Sequence, residues 1–335
     1  MSDIRIQIGQ PETGECAMDT VANESPTTPS IAADATLAPL PIDVTRGAVN
    51  RLVAATETLA AVGLALARRA GDVTLPDDFA AGVDAVVTST LGDLSSLEPE
   101  QAKSLGALAR AMLAQAAGFS SHPQEPSAWA VTDPLVLQSL GQASAALAAP
   151  ICDLIMTRYP ELDKRLQEPG AMILDVGTGV GALALAFANR YLNARVVGVD
   201  VWQPALNLAR TNVARAGLTD RVEIRHQDVT LLSDDAAFDL VWFAGPFIPG
   251  TILDQALIRV ARATRPGGVV VYGTFGGGTD PLGNALADLR ILRSGGPVLT
   301  DTEIGDHLQS AGLRRVECAT TNIGMPARLI AAQQA

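Results

Sequence analysis

The stretch Ile173-Leu-Asp-Val-Gly-Thr-Gly-Val-Gly181 constrains this chain more than any other. An apolar run carries one acid, three alternating glycines follow, and an Ala/Leu-rich helical pattern begins at Ala182. That order reads as strand, tight turn and helix start. Glycine suits such a turn because it lacks Cβ and tolerates positive φ, so the backbone can press against a ligand. The N–H groups at the start of the following helix are free to meet an anionic or polar part of that ligand. The acid inside the run, Asp175, narrows the choice of ligand.

The segments around this turn alternate in period. Strands are expected at residues 172–176, 195–199, 222–226, 240–243 and 268–272, with helices at 181–191, 204–216 and 251–264. Pro204 suits a first helical position and Gly217 a C-terminal cap. Such alternation predicts a parallel sheet with helices on both faces. The end differs. A helix at 301–311 precedes two strands, 315–320 and 328–332, joined by the turn Asn322-Ile-Gly-Met-Pro326. They read as a hairpin, so one strand must run antiparallel.

Residues 43–168 read as helical throughout. Val49, Leu52, Val53, Thr56, Leu59 and Ala60 share one face. Further helices are expected at 77–91, from 98 onward with Leu105, Leu108, Met112 and Leu113, at 134–147 and at 151–166. Short alanine-rich helices are marginal alone, so this half should pack as a cap that contributes to substrate binding. Residues 1–42, with prolines at 11, 26, 29, 39 and 41, read as a flexible leader or lid. The expected division is thus 1–42, 43–168 and 169–335.

The chain has 335 residues, 48% of them hydrophobic, and a net charge of −12. That is enough apolar material for a large core. An acidic chain with lysine only at 103 and 164 lacks the basic stripe of a nucleic-acid binder, so no nucleic-acid partner is expected. No uninterrupted apolar run reaches the ~18 residues of a membrane span and no signal peptide is visible, so neither a membrane partner nor export is expected. Cys16, Cys152 and Cys318 are far apart in sequence, which fits reduced thiols in the cytoplasm. The histidines are scattered and no acidic cluster has ligand spacing, so no metal is expected.

Open parallel sheets bind ligands at the carboxyl ends of their strands. Here those ends present Asp175 with the glycine turn, then Asp200-Val-Trp202, His226-Gln-Asp228, Phe243-Ala-Gly-Pro-Phe247 and Thr274-Phe-Gly-Gly-Gly278. Asp200, 19 residues beyond Gly181, is placed to accept from both hydroxyls of a ribose. Asp228 could accept from an exocyclic adenine amine, or cap a helix. Val201 and Trp202 could flank the adenine.

Together, Asp175-Val-Gly-Thr-Gly-Val-Gly181, Asp200, Asp228 and the terminal hairpin resemble the class I S-adenosylmethionine-dependent methyltransferases of bacterial specialised metabolism. The resemblance covers about half the chain. It implies an α/β, Rossmann-like, seven-stranded, mostly parallel sheet with an antiparallel C-terminal hairpin, preceded by an α-helical N-terminal domain. It assigns the cofactor to Asp175, Gly177, Thr178, Gly179, Gly181, Asp200, Val201, Trp202, Asp228, Val229 and Phe243, with Asp175 positioning the methionine amino group. A nicotinamide-binding oxidoreductase is the rival. Gly177, Gly179 and Ala182 also satisfy G-x-G-x-x-G/A, but Asp175 would lie beside a pyrophosphate. A third reading is a non-catalytic relative that serves in binding or dimerisation.

Methyl transfer from a sulfonium is an in-line displacement, and a base is needed only where the nucleophile must lose a proton. At the fourth strand end, relatives that methylate amide or amino nitrogen carry Asn or Asp and then Pro-Pro. This chain has Ala244-Gly245-Pro246-Phe247, which disfavours such acceptors. The expected acceptor is a small, flat or hydrophobic metabolite, methylated at an indole carbon or at oxygen or nitrogen, and touched by Phe243, Pro246, Phe247 and Trp129. Trp242 is expected in the core. His122 and Tyr159 are the candidates for a catalytic group, and His226 reads as structural. Exposed Leu/Ala faces in the helical half could form a homodimer.

Overall fold

Strands with both faces covered read as continuous apolar runs, and here every residue of Phe238–Ala244 is buried. The computed structural model describes residues 40–121, 131–278, 280–321 and 327–335, with the backbone alone at 320 and 321. Six helices come first: α1 (Ile42–Arg69), α2 (Asp77–Thr90), α3 (Pro99–Ser121), α4 (Pro134–Ala145), α5 (Ala148–Arg158) and α6 (Pro160–Gln167). Then follow β1 (Met172–Val176), α7 (Ala182–Arg190), β2 (Arg195–Asp200), α8 (Gln203–Arg215), β3 (Val222–His226) and β4 (Phe238–Ala244). The chain continues through α9 (Leu253–Ala263), β5 (Thr264–Phe275), α10 (Pro281–Ser294), α11 (Asp301–Ser310), β6 (Leu313–Thr321) and β7 (Ala327–Gln334).

Among the described residues seven strands form one sheet in the order β3-β2-β1-β4-β5-β7-β6. The pairs from β3 through β5 are parallel, and β7 is antiparallel to both β5 and β6. The chain winds outward from β1 to β3, then returns to β4 on the other side of β1. This reversal opens a crevice at the carboxyl ends of β1 and β4.

Strand alternation divides the core into two layers. On one face Ile173, Val196, Leu240, Trp242, Val269 and Val271 pack with α5, α6 and α7. On the other Leu174, Val197, Val241, Phe243, Val270 and Tyr272 pack with α9 and α11.

Compactness groups the chain into Met1–Asn50, of which residues 40–50 are described, and Arg51–Ala335, so the helices from residue 51 onward share a unit with the sheet. The helix expected over 151–166 is two helices. Pro160 cannot continue α5 and instead occupies the first turn of α6. Helix α10 gives no amphipathic signal, because Leu282, Leu286, Leu289 and Leu292 are exposed while Ala287 and Ile291 are buried. The stripe Val49, Leu52, Val53 and Leu59 of α1 is exposed, and the buried part of that helix is its end, Gly63 to Ala67. By length and composition alone, the stretches Ile42–Arg69 and Pro134–Arg158 could cross a membrane. In the second, Ile151, Cys152, Leu154 and Ile155 are buried in the core on the sheet. The leader to residue 39, the loop 122–130 and the turn 322–326 lie outside the described residues.

Candidate active site

The glycine turn has the backbone its sequence demands. Gly177, Gly179 and Gly181 have φ of 77°, 55° and 75°. The Gly177 and Thr178 N–H groups donate to Val199 O at 2.9 and 3.1 Å, so the turn is clipped to β2. A Cβ on Gly179 would meet nothing within 4 Å, leaving bare backbone toward open space.

Asp200 holds this turn from below. Its carboxylate accepts from Gly179 N–H and from Trp202 N–H, each at 2.8 Å. Asp175 is 1% exposed and accepts from the Thr178 hydroxyl at 2.7 Å. Burial pushes its carboxyl up to about 7, the Thr178 hydrogen bond opposes that rise, and the Asp200 charge adds to it. A buried acid whose carboxyl is raised to about 7, with no cation paired to it among the described residues, fits a ligand that brings an ammonium group. Asp228 accepts from the Thr230 N–H and hydroxyl, both at 2.8 Å and both on Oδ1, as the cap of the short turn Val229–Leu231. The cap reading of this residue is therefore realised, and its side chain still lines the same cleft.

That cleft has a volume of about 590 Å³. Asp175, Gly177, Thr178, Gly179, Asp200, Val201, Trp202, Asp228 and Val229 line it over β1, β2 and β3. Gly181, expected at the cofactor, does not line the cleft; it packs beneath, where a Cβ would stand 3.3 Å from that of Ala209 on α8. Over β4, β5 and β7 the wall is apolar: Leu105, Leu108 and Met112 of α3, with Trp242, Pro246, Phe247 and Phe275. Phe247 and Phe275 meet edge to face, with centroids 6.4 Å apart. The three acids named from the sequence thus share one cleft, and among the described residues they are its only ionisable lining groups.

Two further expectations are corrected. Phe243 does not line the cleft. It is fully buried on the opposite face and stacks on Tyr272, with centroids 5.4 Å apart. Alternation turns its neighbour Trp242 to the face of Asp175 instead, so Trp242, buried in the core as expected, also edges the cleft. Its indole lies across Gly273, where a Cβ would stand 1.9 Å from Cη2. Tyr159 is no candidate catalyst, since it is packed in the core between α5 and α6, its hydroxyl 3.5 Å from Arg315 O. Its hydroxyl is pushed well above the usual phenol range by burial. His122 and Trp129 lie outside the described residues. His226 is exposed and bonds Val201 O at 3.1 Å, a structural contact.

Gly245, a departure from the Pro-Pro pattern of the resembled family, is explained by packing. A Cβ there would stand 2.1 Å from Cζ of Tyr272, whose ring fills that space. Gly141 of α4 was not singled out from the sequence. Its missing Cβ lets α4 sit on the glycine turn, for a Cβ would stand 2.1 Å from Val180 Cγ2. A glycine inside an otherwise regular helix was the available signal. Leu105, Leu108 and Met112 were visible as a stripe, but core packing gives the same spacing.

Residues 173–268 match a family model described as a methyltransferase domain. A release factor glutamine methyltransferase of Rhodopirellula baltica is 30% identical over 151 residues, covering 44% of this chain and 50% of the relative. A malonyl-[acyl-carrier protein] O-methyltransferase of Geobacter sulfurreducens is 34% identical over 154 residues, covering 44% and 57%. The chain thus spans about half the length of these curated relatives. The crystal structure of human N-acetylserotonin methyltransferase in complex with S-adenosylmethionine superposes with a TM-score of 0.60 at 17% identity, covering 88% of this chain and 97% of that one. At that identity the likeness is one of fold, and it extends through the helical half.

Proposed function

Because residues 173–268 are a class I S-adenosylmethionine-dependent methyltransferase domain, we propose that the whole chain transfers a methyl group to a small, flat, mainly apolar acceptor. One observation carries this reading: Asp175, Asp200 and Asp228 face a single cleft whose other end is apolar and aromatic. S-adenosylmethionine, when bound, supplies an electrophilic methyl group. Asp175 would hold the ammonium, Asp200 the ribose hydroxyls and Asp228 the adenine amine, while the bare backbone at Gly179 gives room for close approach. Leu105, Leu108, Met112, Trp242, Phe247 and Phe275 would clamp a flat acceptor and exclude water. Holding the reacting atoms in line is then the main source of acceleration. The acceptor end offers no ionisable side chain among the described residues, which favours an acceptor atom that is nucleophilic without losing a proton.

The first test is isothermal titration with S-adenosylhomocysteine. Absence of both heat and thermal stabilisation would refute the cofactor assignment. Transfer of radiolabelled methyl to a library of flat aromatic metabolites then tests the acceptor class, and labelling confined to macromolecules would refute it.

A further inference from the structure

The acceptor end of the cleft has charged neighbours that the proposed transfer does not use. Arg290 and Arg293 stand on α10, both half-buried. Neither forms an ion pair among the described residues. Among the described residues the nearby acids do not neutralise them. Asp280 caps α10 by accepting from Gly283 N–H at 2.9 Å, and exposed Asp288 lies well round the helix from both at 100° per residue. Burial pushes both guanidinium values down, and the Arg290 charge adds to the effect at Arg293. Two cations partly withdrawn from water without a counter-charge are costly, and an anionic ligand beside them would offset that cost.

Their link to the cleft is Gln115. Its amide oxygen accepts from Arg293 Nη2, and the residue lines the cleft. A guanidinium only donates, so this bond fixes the oxygen on Arg293 and leaves the amide NH₂ as the donor available to a ligand. The end of α10 is held close by. Ser294 lines the cleft, Gly295 closes the helix with φ of 93°, and Gly296 presses on Pro246, whose O would be 2.6 Å from a Cβ there.

We propose that the acceptor carries a carboxylate remote from the methylated atom, read by the Gln115 NH₂ and the positive field of Arg293 and Arg290. This rests on the methyltransferase reading of the same cleft. A carboxylate so held is a recognition handle, since the arginine field lowers its nucleophilicity.

The test titrates the full chain, saturated with S-adenosylhomocysteine, with 1-naphthoate, neutral 1-naphthamide and 1-naphthyl phosphate. Naphthoate should bind at least about tenfold tighter than the amide, the size of a charge-assisted hydrogen bond. Arg290→Met/Arg293→Met and, separately, Gln115→Leu should shrink that preference to about twofold or less while leaving S-adenosylhomocysteine affinity in place. Removing unpaired cations should hold or raise the melting temperature, whereas a merely structural role predicts a fall. Equal binding of acid and amide, a preference that survives the variants, tighter binding of the phosphate, or no binding of naphthoate up to its solubility limit would each overturn the proposal. Failure of the methyltransferase reading shows separately, as absence of S-adenosylhomocysteine binding; the acid–amide comparison is then made on the protein alone.

Discussion

On the proposed binding role of Asp175, cofactor affinity should depend on pH, with a sign and size that follow from its setting. Its carboxyl is pushed up to about 7 by burial, while an unfolded chain ionises it near 4. A ligand ammonium favours the ionised form, so binding at lower pH must first expel a proton. Affinity should therefore fall about tenfold for each pH unit below 7, or about 100-fold between pH 8 and pH 5, which is about 2.7 kcal/mol. Titration with S-adenosylhomocysteine across that range measures it directly. Titrations in two buffers of different ionisation enthalpy should also report close to one proton released at low pH. Asp175→Asn keeps the shape but cannot ionise, so it should bind more weakly at pH 8 and lose the slope. Without ligand the trend reverses. The native state holds the proton that the unfolded chain releases, so stability present below about pH 4 is lost as pH rises to about 7, by an upper bound on the order of 4 kcal/mol. The variant should lack that loss in thermal melts. A wild-type affinity that is flat with pH, or a slope that survives in Asp175→Asn, would refute this account of the buried acid.

Asp200→Ala removes the acceptor for two backbone N–H groups, at Gly179 and Trp202, as well as the expected ribose contact. At about 1.5–3 kcal/mol per charge-assisted bond, both the melting temperature and S-adenosylhomocysteine affinity should drop, with Asp200→Asn intermediate in each. Gly141→Ala drives a methyl group into Val180 and should cost about 1–3 kcal/mol in urea unfolding; adding Val180→Ala should recover most of it. Gly273→Ala must displace the Trp242 indole, so methylation of any acceptor found should fall while S-adenosylhomocysteine affinity holds, as steady-state kinetics and titration would report.

The cofactor end was legible because its chemistry is written in consecutive residues. Three glycines need positive φ, and an acid closes each of the first strand ends, so Asp175, Asp200 and Asp228 could be named from spacing. The mostly parallel sheet and its antiparallel end followed from the strand–helix alternation and the closing hairpin. The acceptor end was less legible, for two physical reasons. Which of two adjacent aromatics enters a cleft depends on strand parity, and parity is fixed only once a strand's register is known. Hence Phe243, expected at the cleft, packs on the opposite face, while Trp242 edges the cleft from within the core. The remaining wall comes from α3 and α10, distant in sequence from the glycine turn, where Gln115 and Ser294 carry no local signature and the stripe with Leu105 reads equally as core.

The two ends of the cleft are tied together by α4. Its N-terminus is set by Asp133, which accepts from Leu135 N–H at 2.8 Å. Gln138 exchanges amide hydrogen bonds of 2.9 and 3.0 Å with Asn212 of α8, and Asn212 in turn donates to Val180 O at 2.9 Å. Just before the helix, Val131 O accepts from the Trp202 indole at 2.7 Å. Leu137, Val180 and Ala205 are buried together in this junction. The same helix then presents Leu140, Gly141 and Ser144 to the cleft. A segment that shapes the wall above the acceptor end is therefore bonded to the elements that shape the cofactor turn. Cofactor contacts that order the turn must also order α4 through Val180 and Asn212, because these are packed and hydrogen-bonded rather than joined by a hinge. It follows that residues 169–335 expressed alone would expose Val180, Ala205 and the Trp202 ring and lose the clamp on the turn. The helical half thus lines the same cleft as the glycine turn and is hydrogen-bonded to the elements that carry it.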